Sequence, residues 1–284
     1  MNVVLISTSD ISSGRVDLLE RMLCSVERAA AAQPHVPIIV LLLLQKCPEY
    51  LYWTISKNLP PFVQAIPSID MLSLSAARNL LIERASTDGL IDAETVVGFP
   101  DDDCWYPDGT LDYVAQMFSR VPRLDLWFCR YSSKPASVSD LAVRPRTAPP
   151  RDVIRSASSN TMFVRGRILL SGMVFDESLG VGTANGGGED TEFALRAHLL
   201  SRQSIYLPAP IVGHRDNAPQ LRAKYYCGGL IALARHARQE PRIGLELVRK
   251  LSVGIWLVAT RQLPFNAFAH AVIAAARSSR PAAA

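Results

Sequence analysis

Cysteine is scarce and scattered in this 284-residue chain. Its five thiols (Cys24, Cys47, Cys104, Cys129 and Cys227) are odd in number and show no C-x-x-C spacing, which argues against a disulfide framework and against a zinc cluster. No apolar run approaches the ~20 residues that a bilayer crossing needs, and the longest, Val36 to Leu44, reads as a buried strand. The apolar start Val3 to Ile6 is short and has no basic segment before it, so no secretory signal is read. No repeat recurs at solenoid or propeller periods. The glycine-rich run Gly180 to Gly188 lacks the G-K-S/T of a Walker loop and the strand-to-helix context of a dinucleotide fingerprint. A protein of the reducing cytoplasm is the expectation.

Apolar residues are abundant, at 49%, enough for one large α/β domain or two small ones. The net charge of +4 hides a split: from Arg215 to the C-terminus there are eleven Lys/Arg against three Asp/Glu. Such asymmetry fits a tail that meets an anionic surface, whether lipid, phosphorylated carrier or nucleic acid, or else simply solvated helix faces.

Hydrophobic periodicity predicts strands at 2–7, 37–44, 62–66, 95–99, 124–131, 161–164, 205–207 and 211–212. Between them it predicts helices at 16–32, 49–57, 75–85, 108–119 and 190–200. Strands alternating with helices imply a mainly parallel sheet, whose ligands gather at the carboxyl ends of the strands. The Ser/Pro/Arg-rich stretch 132–155 reads as a mobile loop, and from Leu221 onward the pattern is helical. On a wheel, Glu246, Arg249, Lys250 and Arg261 share one face opposite Leu247, Val248, Leu251, Ile255, Trp256 and Val258. That helix either lies on a membrane surface or packs on the domain.

Two acidic sites stand out. Asp101, Asp102 and Asp103 follow the strand that breaks at Pro100, and Glu189-Asp190 follows the glycine-rich run. Carboxylates this close repel one another, and a divalent cation is the economical compensation. A turn or helix N-cap would account for one aspartate; three strain that reading.

The segments LSLSAARNLL, GFPDDDCWYPDG, FDESLGVGTANGGGEDTEF and YLPAPIVGH, in this order, resemble a family 2 glycosyltransferase of the bacterial polysaccharide-assembly type. The resemblance spans roughly residues 1–215 and implies a GT-A fold, Rossmann-like with helices flanking a mainly parallel sheet. The expected organisation is a GT-A domain over 1–220 and a basic, helical C-terminal extension over 221–284. The implied reaction is metal-dependent transfer of a sugar from a nucleotide-diphosphate donor, UDP-sugar favoured, to an acceptor hydroxyl with inversion. A lipid-linked saccharide in exopolysaccharide or capsule assembly is the expected acceptor. The enzyme is expected in the cytoplasm, peripheral on the inner face of the plasma membrane and touching its anionic surface, without a nucleic-acid partner.

By the same resemblance Asp103 and His214 would hold Mn²⁺ or Mg²⁺, with Asp101 on the metal or the donor ribose and Asp102 beside the donor. An imidazole among oxygen ligands suits Mn²⁺ better than Mg²⁺. Arg78, of the A-R-N element with Asn79, would reach donor phosphate, or else pair with Glu83 along the helix. Ser7, Thr8 and Ser9 would lie near the nucleoside. Asp190 would deprotonate the acceptor, with Glu189 sharing or orienting that role. Trp105 either stacks on a sugar or fills core.

The chain departs from the family's pattern at Leu44-Gln45-Lys46-Cys47, where relatives often carry an acidic contact to uracil; Gln45 offers an amide instead. A haloacid-dehalogenase-like phosphatase fits poorly, since Cys104-Trp105 stand where its motif needs Thr or Val. The remaining alternatives are a sugar-phosphate nucleotidyltransferase, for which Ser12-Ser13-Gly14-Arg15 is a meagre signature, and a non-catalytic nucleotide- or glycan-binding protein tethered to the membrane.

Overall fold

The computed structural model describes residues 1–215, 223 and 225–278. Among them eight strands form one sheet: β1 (Val3–Asp10), β2 (Ile38–Gln45), β3 (Val63–Ser68), β4 (Val96–Gly98), β5 (Leu124–Ser132), β6 (Arg146–Thr147), β7 (Met162–Arg165) and β8 (Gln203–Gly213). Their order is β3-β2-β1-β4-β7-β5-β8-β6. The sheet is mainly parallel, as expected from the alternation of strands and helices. Two strands run against the rest: β7 is antiparallel to both β4 and β5, and β6 is antiparallel to β8.

Flanking the sheet are α1 (Val16–Ala32), α2 (Glu49–Ser56), α3 (Leu74–Thr87), α4 (Thr110–Arg120), α5 (Pro150–Ser156), α6 (Gly166–Leu170) and α7 (Glu189–Leu200). Successive residues of a strand point to opposite faces, so the continuous apolar runs of β1 and β2 feed two cores. Val4 and Ile6 join Leu81 of α3 and Phe193 of α7 on one face. Val3 and Leu5 join Met22 of α1 and Phe118 of α4 on the other. β1 and β4 are thus interior strands covered on both faces, and the aspartates stand just past the carboxyl end of β4.

Some expectations change. The two short strands expected at 205–207 and 211–212 are one strand, β8. Pro208 and Pro210 interrupted the apolar pattern, yet the ladder to β5 accommodates Pro210 by shifting register at Arg130. The stretch 132–155 is not simply a loop: it supplies β6 at the sheet edge and α5, which Pro150 opens from its first turn. The short helix α6 was not anticipated.

At the amino end of β5, buried Asp125 receives three arginines. Arg202 donates from its backbone N–H at 2.7 Å and from its guanidinium at 2.9 Å, Arg167 donates at 2.6 Å, and Arg165 stands 3.8 Å away. Arg165 is itself fully buried and also donates to the carbonyls of Leu124 and Phe118.

Three helices end the described chain: α8 (Tyr226–His236), α9 (Pro241–Ala259) and α10 (Phe265–Ser278). They share a small core of their own with Leu179, but Leu233 of α8 and Ile243 of α9 belong to the core beneath the sheet. The expected division at 220/221 lies outside the described residues. Contact between α8 and the glycine-rich run is backbone to backbone: a Cβ on Gly228 would sit 1.6 Å from the Gly187 carbonyl oxygen. Gly188 also takes φ +91°, a conformation that only glycine adopts without strain. Gly187, Gly188 and Gly228 are thus required by packing.

Helix α9 turns a different face outward from the one its wheel suggested. Glu246 is buried and Lys250 half-buried on the inner side, whereas Val248, Ile255 and Trp256 are exposed together with Leu245, which is 71% exposed. Inward, the helix packs through Ile243, Gly254 and Leu257.

Candidate active site

Asp101, Asp102 and Asp103 turn three ways from the end of β4. Asp101 is held at its backbone and its side chain by Asn160: the Asp101 N–H donates to Asn160 Oδ1 at 2.6 Å, and Asn160 Nδ2 donates to Asp101 Oδ2 at 3.0 Å. Asp102 is buried, accepting from Ser9 Oγ at 2.7 Å and pairing with Arg15 at 2.9 Å. Burial pushes its carboxyl up from the usual range, against the Ser9 hydrogen bond and the Arg15 charge.

Asp103 faces His214, whose Nε2 lies 3.1 Å from Asp103 Oδ1 and 4.0 Å from Asp101 Oδ2. Arg15 and Arg215 approach Asp103 Oδ2 at 2.8 and 3.2 Å. Burial alone would raise the Asp103 carboxyl, but His214 and the two arginines outweigh it and hold it low. For His214 burial works downward, and Asp103 prevails by raising it.

The chain's local pairing explains why His214 arrives here. Trp105 and Gly213 form an antiparallel bridge, with N···O distances of 2.9 and 2.8 Å, which ties the end of β8 to the aspartate turn. The Trp105 ring lies on Gly213 so closely that a Cβ there would be 2.1 Å from it, and Arg21 stands over the ring at 4.0 Å. Trp105 is therefore held in packing contacts at the end of β8.

Arg78 joins the two acidic motifs. Only 1% exposed, its guanidinium donates to Asp101 at 2.9 Å and to Asp190 at 3.1 Å, and it rests over the Phe175 ring at 5.0 Å. Its partners among the described residues are these two carboxylates, and not Glu83 along the helix. Asn79 clamps the Phe175 backbone from both sides, accepting from its N–H at 2.7 Å and donating to its carbonyl at 2.9 Å. That clamp sets the start of the loop leading to Glu189.

Asp190, at the N-terminal turn of α7, also accepts from the Ser159 N–H at 2.9 Å and from Ser158 Oγ at 3.2 Å. Beside it Glu189 is buried; burial and then the Asp190 charge push its carboxyl up to about 7. Asp101, Glu189, Asp190 and His214 line one cleft of about 400 Å³.

The hydroxyls at the end of β1 are less available than expected. Ser7 is buried without a partner, Thr8 Oγ1 donates to the Leu43 carbonyl and accepts from Gln45, and Ser9 supports Asp102. Gln45 is 2% exposed, and its amide is spent on Thr8 and the Leu72 N–H, so it has no free edge for a base. Sequence reasoning missed Asn160 and Arg215 as site residues, and it noted Arg15 only within a weak signature. Nothing local marks them; their partners lie far away in the chain.

The residues present fit a divalent cation. Asp101, Asp103 and His214 each offer one ligand atom, and all three atoms lie within 4.8 Å of one another. Both Asp103 oxygens are buried, and what they meet is cationic: His214 at Oδ1 and Arg15 and Arg215 at Oδ2. His214 Nδ1 faces the Arg215 carbonyl at 2.8 Å, an acceptor, so that nitrogen carries the proton. Nε2 then points at a carboxylate, which is favourable only with a proton or a metal between them.

No protein-family model matches the sequence, and no curated protein matches it. Solved structures do. S. aureus TarS 1-349 in complex with UDP-GlcNAc superposes with a TM-score of 0.59 at 13% identity, covering 98% of this chain and 89% of that one. The mannosyltransferase PcManGT from Pyrobaculum calidifontis, in complex with GDP-Man and Mn²⁺, gives 0.60 at 13% identity, covering 98% and 76%. At such identities the likeness bears on architecture: the chain has the GT-A fold with a helical C-terminal part.

Proposed function

We propose that this protein is an inverting, metal-dependent glycosyltransferase that moves a sugar from a nucleotide-diphosphate donor, UDP-sugar favoured, to a hydroxyl of a lipid-linked saccharide. The observation that carries the reading is Arg78, which fixes Asp101 of the first acidic motif and Asp190 of the second in one cleft wall. A nucleotide sugar accompanies both structural neighbours named above.

In this reading the Glu189–Asp190 pair takes the proton from the acceptor hydroxyl as its oxygen attacks the anomeric carbon. The new C–O bond forms as the bond to the diphosphate oxygen breaks, the electron pair leaves with the nucleotide, and the configuration inverts. Asp190 is oriented by Arg78, Ser158 and Ser159, so little reorganisation is needed in the transition state. Asp101, Asp103 and His214 would hold Mn²⁺ or Mg²⁺, which when bound neutralises charge building on the diphosphate. Arg15 and Arg215, now on Asp103, are placed to turn to phosphate oxygens when the donor enters.

A thermal-shift panel of UDP, GDP, CDP and dTDP sugars with Mn²⁺, Mg²⁺ or chelator tests this. One nucleotide class is expected to raise Tm by about 5 °C at a hundredfold excess over Kd, and chelator to abolish most of the rise. A shift that survives chelator would mean that the arginines alone serve the diphosphate. Pyrophosphate release from NTP and sugar phosphate would identify a nucleotidyltransferase, and the absence of any shift would favour a non-catalytic tether.

We also propose a peripheral place on the inner face of the plasma membrane. Among the described residues no helix is long and apolar enough to cross a membrane. Leu245, Val248, Ile255 and Trp256 on α9 are exposed, as are Phe265 and Ile273 on α10. Exposed Arg242, Arg249 and Arg277 on these helices complement anionic lipid. Removing the helices would strip Leu233 and Ile243 from the main core, so point variants are the cleaner test. Ile255→Glu with Trp256→Glu should lower partitioning onto phosphatidylglycerol vesicles at least about tenfold, since each side chain buries roughly 1.5–3 kcal/mol of apolar surface. Unchanged flotation with vesicles would defeat this placement.

A further inference from the structure

We propose that the end of the cleft walled by Arg155 of α5 and Lys250 of α9 binds a phosphoryl group carried by the acceptor. The inference rests on the transferase reading and adds the acceptor's chemistry to it.

Lys250 lines the same cavity as Asp101 and Asp190. Among the described residues no carboxylate pairs with its ammonium, which lies 5.4 Å from the centre of the Tyr226 ring. The ammonium occupies space that any other residue at 229 would take: a Cβ on Gly229 would be 2.7 Å from Nζ. Burial, followed by the neighbouring Arg249 charge, holds the lysine below its ordinary range, as expected of an ammonium lacking a counter-charge.

The surroundings carry an excess of positive charge. Buried Glu246 is paired with Arg249 at 2.6 Å, Arg151 at 3.6 Å and Arg155 at 3.9 Å. One carboxylate thus answers three guanidinium groups, and Lys250 stands next to Arg249 on the same helix. Arg155 also reaches the cleft wall, at a distance from Glu246 that leaves its fork largely uncommitted.

A neutral sugar hydroxyl would leave these cations uncompensated in a partly desolvated pocket. A single carboxylate would answer one of them. A phosphoryl group carries between one and two negative charges near neutral pH and accepts several charge-assisted hydrogen bonds, so it matches a lysine and an arginine together. The carboxylates Asp101, Glu189 and Asp190 line the same cleft, so it offers both cations and carboxylates to one ligand. An acceptor with a phosphoryl at one end is oriented so that a hydroxyl lies towards Asp190. A prenyl phosphate carrier and a soluble phosphorylated saccharide present the same group.

The test is calorimetric titration of the full chain, without metal, against farnesyl phosphate and inorganic phosphate. A UDP-sugar titration with Mn²⁺ runs in parallel. Lys250→Met is expected to weaken the phosphate probes about tenfold or more, and Arg155→Gln to weaken them in the same direction, with nucleotide affinity within about twofold. Arg155 is 39% exposed, so its variant remains informative should Lys250→Met fold poorly. Farnesyl phosphate binding much more tightly than inorganic phosphate would identify a lipid-linked source; equal binding would identify a soluble one. The inference is overturned if wild type binds neither probe, if both variants bind them like wild type, or if nucleotide affinity falls in parallel. Phosphate binding that depends on Lys250 in a protein that binds no nucleotide would instead sink the transferase reading and leave the anion site standing.

Discussion

Asp190→Asn is expected to lower the transfer rate by about 10²–10⁴-fold, the usual range for loss of a positioned general base. Donor affinity should change far less. The amide can still accept from Arg78 with its oxygen, but its NH₂ then meets the Ser159 N–H, which donates to the carboxylate at 2.9 Å. The variant therefore loses both basicity and orientation. In wild type the rate should rise with pH through an apparent value near 7 set by Glu189, because the ionised form is the one that can share in taking the proton.

The linkage has a definite sign. A carboxyl raised in the folded state contributes stability that is present below its unfolded value, about 4.3, and that is lost as pH rises through about 7. Removing the Asp190 charge removes the second-largest cause of that upward shift, after burial, so Glu189 should titrate lower in Asp190→Asn. Steady-state kinetics with a separate donor-binding measurement checks the first claim, and carboxyl NMR titration the second. A variant turning over within tenfold of wild type would end the assignment of Asp190 as base.

Asp125→Ala is expected to destabilise the fold by about 3–5 kcal/mol, because it takes a buried counter-charge from the fully buried Arg165. Besides its bonds to backbone carbonyls, Arg165 would then have Glu94 as its one carboxylate partner among the described residues, and that side chain is 67% exposed. Burial by itself raises the Asp125 carboxyl, but hydrogen bonds from Arg167 and Arg202 outweigh it and hold it at about 2. A lowered carboxyl contributes stability above its unfolded value of about 3.9 that disappears as pH falls towards 2, on the order of 2 kcal/mol here. Calorimetric melting of wild type and variant between pH 2 and 7 should show the difference narrowing in acid. Arg202→Met, at a position 42% exposed, should cost much less. A loss below about 1 kcal/mol for Asp125→Ala would show that the cluster is not what secures β5 to β7 and β8.

Local order was legible in the chain. The helix expected at 16–32 has those bounds, because Leu19, Met22, Leu23 and Val26 recur on one buried face. The strand before Pro100 and the turn of aspartates follow from an apolar run ended by a residue that cannot continue it. Register and direction were not legible. Nothing in Met162–Arg165 distinguishes an antiparallel strand from a parallel one, since its residues are buried whichever way it runs.

Side-chain partners were the least legible of all. Arg78 meets Asp190 across 112 residues, and Ser9 meets Asp102 across 93, distances over which no periodic pattern carries information. The outward face of α9 depended on what lay beneath it. Glu246 turns inward to Arg151 and Arg155 of α5, while Arg249 and the apolar Leu245, Val248, Ile255 and Trp256 face out.

The sequence by itself determined the longer strands and helices and where acidic groups leave the sheet, though not β6, α5 or α6, because hydrophobic period and chain-breaking residues act over a few positions. Only the tertiary structure decided that Arg78 belongs to both acidic motifs, that Ser7 and Gln45 are enclosed, and that Lys250 enters the cleft. Those outcomes depend on burial and charge pairing between segments, which exist only once the sheet has brought distant parts of the chain together.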